Sequence, residues 1–168
     1  MRGKKLLIFG AGQYGHVARE TALAMNCFDR IGFLDDHGSA ALGKLEEYER
    51  FFGEFDCAFV AMGNPVLRLQ WLNRLEKAGY ALPVLIHPMA YVSASVVLSA
   101  GTIVEPMAVV HTDAVVEKGG LLCAGCVVNH NSILKPCCQI DCNAVVESGA
   151  VVPEGTKVAS CSVFARNQ

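Results

Sequence analysis

From Val92 to Phe164 an aliphatic or aromatic residue falls at every sixth position without a gap. The column reads Val92, Leu98, Val104, Val110, Val116, Leu122, Val128, Leu134, Ile140, Val146, Val152, Val158, Phe164. Four places after each of the first twelve stands a small or β-branched residue: Val96, Thr102, Ala108, Ala114, Gly120, Cys126, Ser132, Cys138, Ala144, Ala150, Thr156, Ser162. A period of six is neither helical nor a strand alternation. It marks a parallel β-solenoid, in which each hexad makes one short strand and one turn. The aliphatic side chain points into the lumen and the small residue fills the corner where two walls converge. A solenoid end exposes unpaired strand edges and needs a cap. Residues 1–88 can serve at the front, and at the back Arg166-Asn167-Gln168 leave the end to a partner chain or to fraying.

Ahead of the repeat the pattern changes. Lys5–Phe9 is a continuous apolar run that predicts a buried strand, and it enters Gly10-Ala11-Gly12-Gln13-Tyr14-Gly15 directly. A helix is predicted from Tyr14 to Met25, a second strand over Ile31–Leu34 ending at Asp35-Asp36, and a third over Cys57–Met62. Asn64 then reads as an N-cap with Pro65 as first helical residue. Trp71, Leu72 and Leu75 mark the apolar face of that helix, and Gly79 ends it. Leu82–Ile86 is predicted as a fourth strand leading to His87-Pro88. Alternation of this kind predicts a small α/β domain with a Rossmann-like parallel sheet over residues 1–88, followed by the solenoid domain over 89–168.

Gly10, Gly12 and Gly15 between a strand and a helix have the mechanics of a phosphate cradle: the backbone can approach closely and the helix N-terminus favours an anion. Asp35 lies 20 residues beyond Gly15, where a dinucleotide-binding domain places its ribose ligand. A tight turn without a ligand and an NAD site are the alternatives. The domain is short for a two-half nucleotide fold, which favours a nucleotide diphosphate held by half of one.

Composition narrows the setting. The chain has 168 residues, 52% hydrophobic and 18% charged, with a net charge of −2. That balance argues against nucleic acid or an anionic membrane as the main partner. Leu6–Phe9 is too short for a signal peptide or a membrane span, so a cytoplasmic protein is expected. In a reducing cytosol the eight cysteines are expected as free thiols rather than disulfides. Cys123-x-x-Cys126 has no second pair to complete a zinc site.

The repeat resembles the hexapeptide repeat of the left-handed parallel β-helix, in which three hexads close one triangular coil. That hand is an exception to the right-handed crossover rule. The resemblance implies four coils between Val92 and Phe164 and places residues 18 apart at equivalent points of successive coils. One outward column is then Ser93, His111, Asn129, Glu147; the next is Ala94, Thr112, His130, Ser148; the third is Ser95, Asp113, Asn131, Gly149. Polar groups gather along one corner around His111 and His130.

With the glycine-loop domain in front, the whole is similar to the sugar O- and N-acyltransferases of the sialic acid O-acetyltransferase type. It most resembles the bacterial UDP-4-amino-sugar N-acetyltransferases that make bacillosamine. The matching stretches are Ile8–Gly15, Phe33-Leu34-Asp35-Asp36, Met62-Gly63-Asn64 with Arg68, Leu85-Ile86-His87, and Val127–Ile133. The resemblance implies a homotrimer acting on a nucleotide-sugar, UDP-linked, with acetyl-CoA as co-substrate. Substrate-binding positions would be Gly10, Gly12, Gln13, Tyr14, Gly15, Asp35, Asp36, Gly63, Asn64 and Arg68. His111, Asn129 and Glu147 would line the coenzyme A groove between neighbouring solenoids. The family's general base lies in a motif of the form Val-(Asp/Asn/Glu)-His-(Asp/Glu), here Val128-Asn129-His130-Asn131, which gives His130 that role and makes Asn131 its partner.

The implied chemistry is attack of a sugar amine or hydroxyl on a thioester carbonyl. An imidazole, with a pKa near 6.5 in model compounds, suits removal of the nucleophile's proton near neutral pH. Backbone N–H groups would stabilise the oxyanion. The chain departs from the family pattern in four places. Asn131 stands where the family has an acidic residue, leaving Asp113 or Glu147 as substitutes, and Gln139 where it has a second histidine. Tyr14 stands where its glycine loop has a histidine, with His16 two places on, and the relatives carry a further coil and tail. These departures set out an alternative: a non-catalytic nucleotide-sugar-binding scaffold or sensor with a truncated coenzyme A site. A solenoid metal enzyme needs three histidines meeting across an interface, two of them close in sequence, and the spacing of His87, His111 and His130 does not match.

Overall fold

The computed structural model describes residues 3–166. Met1-Arg2 lie outside the described residues, as do Asn167-Gln168 of the end expected to be covered by a partner chain or to fray. The chain divides into two compact units, Met1–Pro83 and Val84–Gln168.

In the first unit β1 (Lys4–Phe9), β2 (Phe28–Leu34) and β3 (Cys57–Val60) form a parallel sheet in the order β2-β1-β3. β1 is the centre because its run is apolar on both faces, and Leu6, Leu7, Ile8 and Phe9 are fully buried. α1 (Gln13–Ala24) turns Gly15, Ala18, Thr21 and Ala22 inward, small residues that let it lie close. α2 (Pro65–Ala78) has the predicted ends. Asn64 Oδ1 accepts from the N–H of Val66 at 3.0 Å and of Leu67 at 3.1 Å, and Gly79 closes the helix at φ 97°. A short 3-10 helix, Leu45–Phe51, carries Tyr48 and Phe51 into the core and was not foreseen from the pattern.

The second unit is a parallel β-helix. Fourteen two-residue strands among the described residues, from Leu85–Ile86 to Val163–Phe164, stack into three sheets. Pairing is between residues 18 apart, as in Val127 with Val109 below and Val145 above. From Val104 to Val152 the lumen column is fully buried, together with corner residues Ala108, Ala114, Cys126, Cys138, Ala144 and Ala150. Each such aliphatic side chain contributes about 1.5–3 kcal/mol by leaving water. Leu85–Ile86 is not a fourth strand of the N-terminal sheet: it pairs with Ile103–Val104 and begins the solenoid. The physical reason lies in the repeat, since Ile86 precedes Val92 by six and extends the lumen column by one rung.

The turns hold a third periodic column. Residues 101, 107, 113, 119, 125, 131, 137, 143, 149, 155 and 161 all have φ between 56° and 72°. Most are glycine, asparagine or aspartate, the types that adopt this left-handed conformation at little cost. Their N–H groups tie coil to coil: Asn131 donates to the Thr112 carbonyl at 3.0 Å and Gly149 to the His130 carbonyl at 3.0 Å.

Candidate functional site

The carboxyl ends of three parallel strands share one edge of the first unit, the usual place for a ligand in an open α/β sheet. Gly10 to Gly15 follow β1, Asp35 and Asp36 follow β2, and Gly63 and Asn64 follow β3. The three glycines have different reasons to be there. Gly10 sits at φ 105°, while a Cβ on Gly15 would overlap the Gly10 carbonyl oxygen. A Cβ on Gly12 would meet nothing within 4 Å. Gly12 and Gln13 are exposed, and Tyr14 is half-buried.

Two of the predicted ligand residues turn inward. Asp35 Oδ2 accepts from the N–H of Ala11 at 2.7 Å, and Oδ1 from those of His37 and Gly38 at 2.8 Å each. The carboxylate thereby clasps the glycine loop to the loop after β2. The Ala11 and His37 N–H groups hold its pKa below the ordinary 3.8. A carboxyl with a lowered folded pKa stabilises the native state fully above the unfolded value, and loses that contribution as pH falls through the folded one. Asp35→Asn is therefore expected to cost about 1–3 kcal/mol at neutral pH. It should also reduce the loss of stability on acidification below 3.8, as read by urea denaturation of the intact chain from neutrality down to about pH 3. Arg68 is fully buried, and its Nη1 donates to the Met62 carbonyl at 2.6 Å and the Gly63 carbonyl at 3.3 Å. It shapes the loop that carries Gly63 and Asn64. Asp36, exposed, accepts the Leu45 N–H at 3.1 Å.

In the second unit the turn between Val127–Val128 and Ile133–Leu134 carries Asn129, His130 and Asn131. Asn129 Nδ2 donates to the Val146 carbonyl at 3.0 Å, and the Ser132 hydroxyl closes the turn on the Asn129 carbonyl. His130 is exposed, and its Nδ1 lies 2.9 Å from Asn131 Oδ1. An amide oxygen only accepts, so in the neutral ring this contact selects the tautomer with the proton on Nδ1 and the lone pair on Nε2. His130 borders a cleft of about 410 Å³ with Asn131, Ser148, Gly149 and Arg166. His111 lies one coil earlier with its ring edge-on to Tyr91, 6.4 Å between centroids. Glu147 Oε2 accepts the Arg166 N–H at 2.9 Å. Asn131, and neither Asp113 nor Glu147, is the side chain that meets the His130 ring. Arg166 was missed in the sequence, although it continues the column of His130 and Ser148 by one more coil.

A family model described as the PglD N-terminal domain matches residues 5–75. The acetyltransferase domain of PglB from Neisseria gonorrhoeae FA1090, solved in complex with acetyl coenzyme A, is 30% identical with a TM-score of 0.81, covering 95% of this chain and 87% of that one. The chain belongs to the bacterial sugar acetyltransferases of the hexapeptide-repeat type. A second structure of that PglB domain matches at 26% identity and a TM-score of 0.72, over 95% of this chain and 98% of that one. Perosamine N-acetyltransferase from Caulobacter crescentus, in complex with CoA and GDP-perosamine, shares the fold at 20% identity. Its TM-score is 0.66, and the match covers 98% of this chain and 90% of that one. The β-helix of this acetyltransferase is left-handed, like theirs.

The remaining polar groups of the acetyltransferase fall into place around its corners. Gln139 Nε2 donates to Asp141 Oδ1 at 2.6 Å, and Asp141 Oδ2 pairs with Lys157 at 3.1 Å. Burial pushes the Cys126 thiol up to about 12 and raises that of Cys123 as well, with Glu105 adding to both. Thiols so protonated are poor nucleophiles. No helix among the described residues is long and apolar enough to cross a membrane.

Proposed function

We propose that this sugar acetyltransferase moves the acetyl group of acetyl-CoA to an amine of a nucleotide-activated sugar, with His130 as general base. The observation that carries the reading is the His130–Asn131 pair at 2.9 Å on the rim of the cleft. A ring fixed through Nδ1 presents Nε2 as the only basic atom. Nε2 takes the ammonia-like proton of the sugar amine as its nitrogen attacks the thioester carbonyl. The tetrahedral intermediate expels the coenzyme A thiolate, and the imidazolium returns the proton to that sulfur. Asn131 orients the ring without adding a negative charge, and the base role uses the neutral form of the imidazole. The backbone of the base is clamped from both sides, by Asn131 N–H on the coil below and Gly149 N–H from the coil above.

The nucleotide-sugar reading draws on the strand ends of the first unit, where Gly12 offers open backbone and the N-terminal end of α1 favours an anion. UDP is the nucleotide proposed. GDP-perosamine accompanies the Caulobacter enzyme, which makes GDP the competing choice.

A homotrimer is supported by two outer faces of the β-helix. Val97, Val115, Ile133 and Val151 stack on one, with Val97 55% and Val151 49% exposed. Tyr91, Val109, Val127, Val145 and Val163 stack on the next, with Tyr91 58% and Val163 61% exposed. Two apolar faces suit a ring in which each subunit meets two neighbours. The His130 turn is the edge between these faces, so a neighbour packed on either would border the cleft.

The test is turnover. Purified protein with acetyl-CoA and a UDP-4-amino-sugar is expected to release coenzyme A thiol and add one acetyl group to the sugar, read by mass. Tight UDP-sugar binding with no coenzyme A binding by calorimetry would replace the enzyme with a scaffold.

A further inference from the structure

Arg166 stands one coil beyond Ser148 and two beyond His130, at the same point of the triangular cross-section. Its backbone is pinned by the Glu147 carboxylate, which accepts the Arg166 N–H at 2.9 Å. Its side chain turns back toward the earlier coil. A Cβ on Gly149 would lie 3.2 Å from Nη1 and 3.4 Å from Cζ, so the glycine leaves room for the guanidinium to lie across the turn. There it lines the cleft with His130 and Asn131. Among the described residues no hydrogen bond or ion pair engages the guanidinium. The other groups of the cleft are an imidazole, an amide, a hydroxyl and backbone. Arg166 is its fixed positive charge.

We propose that Arg166 is a phosphate-binding residue of this cleft, anchoring a substrate so that its reacting end reaches His130. A guanidinium offers a planar fork of N–H donors that matches two oxygens of a phosphate. The inference rests on reading the cleft as the acyl-transfer site. Both substrates of that reaction carry phosphate, the acyl donor and the nucleotide-sugar, and the experiment separates them.

Arg166→Gln and Arg166→Lys, made in the full chain and checked for unchanged melting, are assayed with acetyl-CoA and with S-acetylpantetheine, a thioester without phosphate. Arg166→Gln is expected to raise the KM of one phosphate-bearing substrate roughly ten- to hundredfold, with kcat within about threefold and partial recovery in Arg166→Lys. If the phosphate is the donor's, the penalty disappears with S-acetylpantetheine. If it is the acceptor's, the penalty stays with either thioester and appears in the KM for the UDP-amino-sugar. Unchanged KM for both substrates, or a loss in kcat alone, overturns the proposal. Should the wild type not turn over, the functional reading fails. Calorimetry with CoA and with the UDP-sugar then decides the role of Arg166: weaker binding to the Gln variant supports it, and equal binding or none overturns it.

Discussion

Replacing His130 with alanine is expected to lower kcat by about 10²–10⁴-fold, the usual contribution of a positioned acid–base group. Binding of acetyl-CoA and the melting temperature should stay near wild type. The side chain is exposed, and the bonds that fix this turn run through backbone: Asn131 N–H to Thr112 and Gly149 N–H to His130. Asn131→Gly separates the two duties of its position. Glycine keeps the left-handed φ of 59° but removes the amide oxygen from Nδ1, so a partial loss of kcat with intact stability is expected. Steady-state kinetics with thermal melts read both variants. A folded His130→Ala protein with full turnover would remove the base from the mechanism.

The second large effect concerns the glycine loop and separates folding from binding. Gly15→Ala would drive a methyl into the Gly10 carbonyl and force α1 away from β1, at a cost of about 3 kcal/mol or more. Gly12→Ala meets open space at φ −74° and should leave urea denaturation almost unchanged. If a diphosphate approaches this loop, the Gly12 methyl intrudes on the ligand, and affinity for the UDP-sugar falls while stability does not. Equal stability for the two variants would contradict the geometry of the loop. An unchanged UDP-sugar affinity in Gly12→Ala would remove the loop from the binding site.

The lumen of the β-helix was legible because its signal is dense: one residue in six, repeated without exception from Val92. Its start was not, because Leu82–Ile86 read in isolation is a short apolar run that suits either unit. Stepping back six from Val92 to Ile86 resolves the ambiguity. The left-handed column escaped notice because Met107, Cys137 and Cys161 interrupt the glycines and asparagines that would have announced it. Asn131, a departure from the acidic family residue, keeps this conformation as Asp113 does one coil earlier, and its amide oxygen still reaches the imidazole. Asp35 lies on the loop after β2 and Arg68 in the first turn of α2, and spacing cannot tell a side chain that faces a ligand from one that faces its own backbone. Burial made that distinction for Arg68, and three N–H donors made it for Asp35.

Pairing at a fixed separation of 18 gives the solenoid a single unit of length. Loss of one residue from any turn would rotate every later side chain out of the lumen and dislodge its N–H from the carbonyl beneath. Loss of a whole coil ahead of His111 would shorten the rod by one layer and carry His130, Ser148 and Arg166 along as an intact block. Descendants of such a chain can grow or shrink only in complete storeys, so the vertical spacing of the cleft outlasts changes in the height of the protein around it.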